Sequence, residues 1–335
     1  MEYFRPIAMT DPARPEGALP LAGGWCWFAR AEVLTRAGRR ATIRATEIPA
    51  GVLARLTAPR APVAGLSMDR PRLMGVLNVT PDSFSDGGRF TDPEAAQTQA
   101  RAMSGADLLD IGGESTRPGA AEVPVAEEIA RVVPVISALR AGGVTTPISV
   151  DTRKAGVAQA ALAAGADVVN DVSALSFDAA LGPLVAGAGV PLVLMHAQGT
   201  PATMQADPRY DDVLLDVYDW LAERVAAAEA AGVARDRIVV DPGIGFGKTV
   251  AHNLALIRGL SLFHGLGCPV LLGASRKRFI GALANEPQAD RRGPGTIAVT
   301  LAGLAQGVQI HRVHDIPETR QALALWRALN AGDFR

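Results

Sequence analysis

Eight short apolar segments recur along the chain, and each leads into a polar residue that can take part in chemistry. The segments are rich in Val, Ile and Leu and barely alternate in polarity, which is typical of strands buried on both faces of a parallel sheet. They span 73–79, 106–112, 147–150, 167–169, 191–195, 237–240, 269–274 and 308–311. Successive segments begin about 34 residues apart on average, which is enough for one strand, one helix and two loops.

Alanine-rich stretches with helical spacing lie between these segments, at 91–103, 127–139, 155–163 and 213–230. Typical helix entries and exits flank them: Asp92-Pro93 and Asp207-Pro208 as entries, Gly165 and Gly232 as exits. The alternation of strand and helix predicts the α/β class. An open doubly wound sheet is the alternative, but eight strands with polar residues at every strand end favour a (β/α)8 TIM barrel, at 71–335.

The first 70 residues differ from the rest of the chain. They carry Pro, Gly, Arg and two tryptophans, Trp25 and Trp27, but no clear βα unit. We expect a short N-terminal extension, packed on the barrel by its aromatic residues and joined to it by a linker at 61–71. A regulatory or partner-binding role stays open, and the segment is short for a second enzyme domain.

Composition excludes several classes of function. The net charge of −1 provides no global field that would favour nucleic acid or an anionic membrane. Cys26 and Cys268 lie far apart and outside any metal-binding spacing, so a reduced, cytoplasmic protein is predicted. The N-terminus does not resemble a signal peptide, and the longest uncharged stretch, 179–195, is broken by Pro and Gly and predicts no membrane span.

A glycine-rich segment, Asp-Pro-Gly-Ile-Gly-Phe-Gly-Lys at 241–248, follows the sixth strand. Its spacing fits neither the P-loop nor the dinucleotide-binding pattern. A purely structural turn is one interpretation, since alternate glycines allow sharp turns and close approach of the backbone. The position of Asp241 at the strand end instead favours a role for its carboxylate in binding a ligand.

Asp151 and Asn170 follow adjacent strands, and Asp241 follows the sixth. Two carboxylates and an amide on one rim suit a flat ligand with a row of N–H donors, because a carboxylate accepts two parallel hydrogen bonds and an amide both donates and accepts. The alternative is that these residues cap the helices that follow them.

The remaining strand ends carry loops and basic residues. Two long polar loops, at 77–88 and 111–119, are expected to close over the barrel mouth. Ser275, Lys277, Arg312 and His314 follow strands seven and eight, where barrels often bind phosphate. The alternative for Arg312 is an ion pair with Asp315 or Glu318. His196, which follows strand five, is either a functional residue or a buried histidine whose hydrogen bonds are satisfied.

Taken together, these motifs resemble the dihydropteroate synthases, the folate-pathway enzymes targeted by sulfonamides. The resemblance covers roughly residues 72–330 and rests on ordered motifs, namely MGVLNVTPDSFSDGG, GADLLDIGGESTRPGA, ISVDT, VVNDVS, MHAQG, DPGIGFGK, LLGASRKRFIG and HRVHDI. It implies a transferase that joins 6-hydroxymethyl-7,8-dihydropterin diphosphate to 4-aminobenzoate, giving 7,8-dihydropteroate and diphosphate, with Mg²⁺ as cofactor. It also implies a homodimer. Residues 1–70 lie outside the resemblance.

The resemblance implies a role for each matching position. The pterin pocket is implied to comprise Asp151, Asn170, Met195, Asp241 and Lys277. The diphosphate site is implied to comprise Asn78, Arg312 and His314, with Asn78 also a ligand of Mg²⁺. The 4-aminobenzoate site is implied to comprise Thr116, Arg117, Pro118, Phe246 and Ser275. Catalysis is attributed to Asp151, Asp241, Lys277, Arg312 and His314.

The chemistry of these substrates suggests a dissociative reaction. An aromatic amine is already unprotonated near neutral pH, so departure of diphosphate is the difficult step, and carboxylates beside the ring favour a pterin cation. A pterin-binding methyl-transfer barrel and a non-enzymatic pterin-binding scaffold are the competing interpretations. The first has no need for the basic residues after strands seven and eight, and the second is favoured by loss of a motif residue, of which we find none.

Overall fold

A small antiparallel β-structure occupies the N-terminal part of the chain in the computed structural model, which describes residues 1–79, 98, 103, 105–115, 120–199 and 203–331. Its elements are β1 (Tyr3–Pro6), β2 (Leu19–Pro20), β3 (Trp27–Phe28), β4 (Arg30–Thr35), β5 (Gly38–Arg44) and α1 (Ala50–Thr57). Strands β1, β4 and β5 form one sheet in that order, and β2 pairs with β3. We call residues 1–60 the N-terminal unit.

Eight parallel strands follow and close into a barrel. They are β6 (Arg72–Asn78), β7 (Leu108–Gly112), β8 (Ile148–Asp151), β9 (Val168–Asp171), β10 (Leu192–Met195), β11 (Ile238–Asp241), β12 (Leu271–Leu272) and β13 (Ile310–Val313). Consecutive strands pair from β6 to β11, β13 pairs with both β6 and β12, and a parallel bridge between Val240 and Val270 joins β11 to the segment entering β12. The predicted TIM barrel is confirmed, and the open doubly wound sheet is wrong.

Helices cover the outside of the barrel. The described ones are α2 (Val125–Ala141), α3 (Ala155–Ala163), α4 (Leu181–Ala188), α5 (Val213–Ala230), α6 (Val250–Arg258), α7 (Arg278–Ala284), α8 (Gly293–Leu304) and α9 (Ile316–Ala331). Short 3₁₀ helices span Ala45–Glu47, Arg235–Arg237, Leu260–Leu266 and Ala289–Arg292. The described helices include none that combines the length and apolar character needed to cross a membrane.

The helix ends show which local signals were correct. Gly165 and Gly232 follow α3 and α5 with φ of +110° and +97°, as expected of helix exits. The helix entry expected at Asp207-Pro208 is wrong, because α5 begins only at Val213. Asp212 caps it, and its side chain accepts hydrogen bonds from two backbone N–H groups of the first turn. The entry expected at Asp92-Pro93 and the helix expected at 91–103 lie largely or wholly outside the described residues.

Residues 61–71, which were expected to form a plain linker, close the end of the barrel at which the strands begin, here called the lower end. Val63 and Met68 are buried there among residues from the first halves of the strands. These partners are Met74, Leu108, Val168, Val193, Val239, Leu271 and Ile310. Because all of them are apolar, the lower barrel is a packed core, and chemistry is confined to the opposite, carboxyl rim.

The N-terminal unit packs on helices beside this lower end. The indole N–H of Trp25 donates to the Leu304 carbonyl at 2.8 Å, and the Ser261 hydroxyl donates to the Pro6 carbonyl at 2.7 Å. The buried Arg60 guanidinium donates to the His264 carbonyl at 2.9 Å. These contacts tie the unit to α8 and to the 3₁₀ helix Leu260–Leu266.

Candidate active site

The strand register aligns four positions across one rim of the barrel. Asn78 is the register partner of Gly112, Gly112 of Asp151, and Asp151 of Asn170. All four lie at the carboxyl ends of β6 to β9. Gly112, between Asn78 and Asp151, adds no side chain to the row, and a Cβ there would lie at an ordinary contact distance of 3.4 Å from the Asp151 side chain.

Arg312, on β13, lies beside this row, because β13 pairs directly with β6. Its Nε donates to Asp110 Oδ2 at 2.6 Å, and its Nη2 donates to Asp151 Oδ2 at 2.9 Å. The Asn170 amide also donates to Asp110 Oδ2, at 3.1 Å. Asp110 is fully buried and holds two of the predicted site residues, Arg312 and Asn170, in place.

Sequence reasoning assigned no site role to Asp110. It lies inside the apolar strand Leu-Leu-Asp-Ile-Gly rather than after it. The available signal was a carboxylate in the middle of a strand buried on both faces, which requires a charged or hydrogen-bonding partner. The alternative that Arg312 pairs with Asp315 or Glu318 is wrong, because Arg312 pairs with Asp110 and Asp151, and Asp315 pairs with Arg276.

The carboxyl of Asp151 lies in an unusual electrostatic setting. Burial, and to a lesser degree the Asp110 carboxylate, raise the pKa of Asp151 to about 8, against the opposing charge of Arg312. A carboxyl with a raised pKa beside a cation in a concave site is typical of functional positions.

Asp241 and Lys277 form the second half of the site. Asp241 ends β11 and is the register partner of Met195, which is also buried. Burial raises the pKa of Asp241, and the Lys277 ammonium opposes that shift. Burial lowers the pKa of Lys277 to about 7, and Arg312 acts in the same direction. Arg312 therefore links Asp241 and Lys277 electrostatically to Asp151.

Lys277 also connects to the glycine-rich loop. Its ammonium donates to the Ile244 carbonyl and lies 4.3 Å from the centre of the Phe246 ring. A cation over an aromatic face is attracted by the ring's negative surface. Phe246 is thereby brought beside the residues predicted to form the pterin pocket.

The glycines of the loop have a packing role. Gly243, Gly245 and Gly247 all have φ between +62° and +85°. A Cβ at Gly243 would lie 1.8 Å from the His196 carbonyl oxygen, and one at Gly247 would lie 2.8 Å from Gln198. The loop needs glycine because its backbone passes directly against the loop after β10.

Ser275 and His314 meet after the last two strands. The His314 backbone N–H donates to Ser275 Oγ at 3.2 Å, and His314 Nδ1 lies 2.9 Å from the same oxygen. Between Ser275 and Lys277, Arg276 adopts a left-handed φ of +58°. A non-glycine residue in this region is uncommon and marks a backbone held by its surroundings, here by the Asp315 ion pair.

His196 is a buried histidine with a partner. Its Nδ1 lies 2.8 Å from Lys248 Nζ, and its ring stacks edge-on against Trp220 at 4.8 Å. Burial lowers the pKa of both His196 and Lys248. This pair joins the loop after β10 to the end of the glycine-rich loop.

The helix-cap interpretation of the strand-end carboxylates is wrong. The helices after β8 and β11 begin after Lys154 and Thr249, not after Asp151 and Asp241. Asp241 instead accepts a hydrogen bond at 2.7 Å from the Gly243 backbone N–H within its own turn.

Some expected site residues are not joined to the rest. Asn78 lies on the rim, but no described contact links it to Arg312 or His314. Thr116, Arg117 and Pro118 lie outside the described residues, as does most of the loop at 77–88. The described residues hold no group of three His, Cys, Asp or Glu side chains suited to a metal ion.

Comparison with known proteins identifies the family. The family model described as "Pterin binding enzyme" matches residues 74–314. A dihydropteroate synthase of Neisseria meningitidis serogroup C is 46% identical over 269 residues, covering 79% of this chain and 94% of the relative.

Solved structures give the same result. A Xanthomonas albilineans dihydropteroate synthase with 4-aminobenzoic acid superposes with a TM-score of 0.76 at 49% identity, covering 82% of this chain and 98% of that one. A structure of the X. albilineans enzyme in complex with 7,8-dihydropteroate superposes with a TM-score of 0.73 at 46% identity, covering 82% of this chain and 99% of that one.

Proposed function

Because this chain belongs to the pterin binding enzyme family and is a dihydropteroate synthase within it, we propose which of its residues perform each part of the reaction. The enzyme is a transferase that joins a dihydropterin diphosphate to 4-aminobenzoate through a C–N bond. The observation that carries the assignment is the bridge from Arg312 to Asp110 and Asp151, since it gathers residues from three strands onto one rim.

The pterin ring is proposed to bind between Asp151, Asn170 and Asp241. Two buried carboxylates whose pKa values are raised are poorly compensated by protein groups alone. A flat ring with N–H donors along its edge would supply further hydrogen bonds. Lys277 would donate to a ring acceptor, and Met195 would pack against the ring face.

The diphosphate is proposed to bind near Asn78, Arg312 and His314. Arg312 already donates hydrogen bonds to the carboxylates of Asp110 and Asp151. Its guanidinium would therefore contact both the pterin pocket and the diphosphate. Its remaining N–H groups support this, because a guanidinium has five donors. The Ser275 hydroxyl holds His314 at its Nδ1, which favours presentation of the other ring nitrogen to the substrate.

Mg²⁺ is proposed to arrive with the diphosphate. Asn78 offers an amide oxygen at the rim, and Mg²⁺ prefers oxygen ligands while keeping several waters and substrate phosphates around it. When bound, it would neutralise negative charge that develops on the leaving diphosphate.

The 4-aminobenzoate is proposed to bind beside Phe246 and Ser275, with Thr116, Arg117 and Pro118 completing its pocket. Phe246 lies against Lys277, so an aromatic amine on it would face the reacting carbon of the pterin. The X. albilineans dihydropteroate synthase has been solved with 4-aminobenzoic acid, which supports a corresponding site here.

The reaction is proposed to begin with departure of diphosphate. The C–O bond breaks with its electron pair leaving on diphosphate, and the amine nitrogen then forms the C–N bond and loses a proton. Asp241, and Asp151 in its ionised form, would stabilise the pterin cation electrostatically during the interval. The mechanism predicts exchange of isotope-labelled free diphosphate into pterin diphosphate in the presence of an unreactive 4-aminobenzoate analogue. No exchange with any such analogue would overturn it.

We also propose a cytoplasmic homodimer that sulfonamides inhibit at the 4-aminobenzoate site. Leu325 and Leu329, one turn apart on α9, are both largely exposed, which supports an apolar contact surface. Light scattering of the purified protein would test the dimer. Competition between a sulfonamide and 4-aminobenzoate in the synthase assay would test the inhibition.

A further inference from the structure

The turn between β4 and β5 contacts the first turns of α5. Arg36 Nη1 lies 2.5 Å from Asp216 Oδ1, and its Nη2 lies 2.6 Å from Asp219 Oδ2. The Tyr3 hydroxyl donates to the same Asp219 oxygen at 2.7 Å. One guanidinium of the N-terminal unit therefore bridges two carboxylates of a barrel helix.

Asp216 also orders the chain that leads into α5. Its Oδ2 accepts hydrogen bonds from the backbone N–H groups of Asp211 at 3.0 Å and Asp212 at 3.2 Å. Asp212 in turn caps the helix. The carboxylate that Arg36 engages is thus the one that fixes the backbone just before the helix.

This same segment contacts the glycine-rich loop on both sides of Phe246. The Tyr210 hydroxyl donates to the Gly247 carbonyl at 2.8 Å, and the Gln205 amide donates to the Gly245 carbonyl at 2.6 Å. These two bonds hold the backbone that carries the Phe246 side chain. A continuous series of contacts therefore runs from Arg36 to Phe246.

We propose that Arg36 is a positioning residue for the 4-aminobenzoate site. It acts through Asp216 and the 203–212 segment on the placement of Phe246. The family match begins at residue 74, so this contact is supplied by a part of the chain that the match does not include. The inference rests on the proposed assignment of Phe246 to 4-aminobenzoate.

The expected effect differs between the two substrates. Asp241 is held by the Gly243 N–H within its own turn, so the pterin pocket does not depend on the 203–212 segment in the same way. Arg36 is half-exposed, and isolated exposed ion pairs contribute little, but Arg36 joins a network with two carboxylates and Tyr3. Arg36→Ala should therefore raise KM for 4-aminobenzoate about threefold to tenfold. KM for the pterin diphosphate and kcat should change less than about twofold.

Steady-state kinetics of Arg36→Ala, Arg36→Lys and Arg44→Ala in the full chain test the proposal. Arg44 is the matched control, an exposed arginine of the same sheet for which the described residues show no ion pair. It should behave as wild type. A single ammonium cannot reach both carboxylates as a forked guanidinium does, so Arg36→Lys should recover only part of the affinity.

Hydrogen exchange gives a second readout that does not depend on activity. Peptides covering 203–212 should exchange faster in Arg36→Ala than in wild type or Arg44→Ala. Equal KM values for 4-aminobenzoate in Arg36→Ala and wild type, or equal exchange in this segment, would overturn the proposal. An inactive wild-type enzyme would instead contradict the proposed function.

Discussion

Arg312 and Asp110 form an ion pair inside the barrel, with Nε and Oδ2 2.6 Å apart, although 202 residues separate them in the chain. Asp110 is fully buried, and its pairing requires β7 and β13 to lie two strands apart around a closed ring. The pair therefore depends on barrel closure, and it orients the arginine on which both halves of the site depend.

Replacing Asp110 with Asn should weaken pterin binding and destabilise the fold. Removing one partner of a buried pair leaves the other charge poorly compensated, which costs about 3 kcal/mol of unfolding free energy. Asp107→Asn is the control, because Asp107 is ion-paired with Arg72 and Arg320 at the opposite end of β7. Calorimetry with 6-hydroxymethylpterin should show at least about tenfold weaker binding for Asp110→Asn only. Equal affinities in the two variants would contradict the positioning role.

Asp241→Asn should lose activity through lost pterin binding. Hydrogen bonds to a charged acceptor contribute about 1.5–3 kcal/mol, so the affinity should fall roughly ten- to hundredfold. The same calorimetric titration measures it. An unchanged pterin affinity would refute the assignment of Asp241 to the pterin pocket.

The pH dependence should report Lys277, with Asp151, whose pKa of about 8 lies in the same range, titrating beside it. Its pKa of about 7 lies below the ordinary value for lysine because the side chain is buried, so the ammonium is lost as pH rises through about 7. The kcat/KM for pterin diphosphate should fall over that range. In Lys277→Arg the cation persists, so the alkaline fall should move upward by more than about one pH unit.

The same shift has a consequence for stability. Between pH 7 and the ordinary lysine value, the unfolded chain binds more protons at this position than the folded one, so the Lys277 contribution makes the free energy of unfolding rise with pH there.

If Lys277→Arg and wild type had superimposable alkaline limbs in kcat/KM, Lys277 would not be the titrating group.

Gly243→Ala should be far more damaging than Gly17→Ala. Both glycines have positive φ, +67° and +81°, so both substitutions carry a backbone cost of about 1–2 kcal/mol. Only at Gly243 does the new Cβ meet another atom, the His196 carbonyl oxygen at 1.8 Å, whereas nothing lies within 4 Å at Gly17. Chemical denaturation should show the difference. Similar losses of stability in both variants would mean that the loop can move away from His196.

The barrel can be predicted from sequence because the patterns that indicate its strands and helices are local. A strand buried on both faces needs a continuous apolar run, and a helix ends where glycine can adopt positive φ, as at Gly165 and Gly232. The bounds of α3 and α5 follow the predicted 155–163 and 213–230 for the same reason. The roles assigned to site residues stay predictions, although the structure brings many of those residues together.

Other features depend on partners distant in sequence. Asp110 could not be assigned because its partner Arg312 is set by barrel closure rather than by spacing. The Asp207-Pro208 helix entry was wrong because Asp212 supplies a better cap. The strands of the N-terminal unit were not predicted because arginines interrupt their apolar residues, although Ala31 and Val33 of β4 alternate into a buried core with Phe28.

This enzyme couples diphosphate release to formation of dihydropteroate. The most direct test measures both products from 6-hydroxymethyl-7,8-dihydropterin diphosphate, with and without 4-aminobenzoate and Mg²⁺. Sustained release should require both additions, and dihydropteroate should form in equal amount. Tight pterin binding with no turnover under any of these conditions would contradict it and would point to a pterin-binding scaffold.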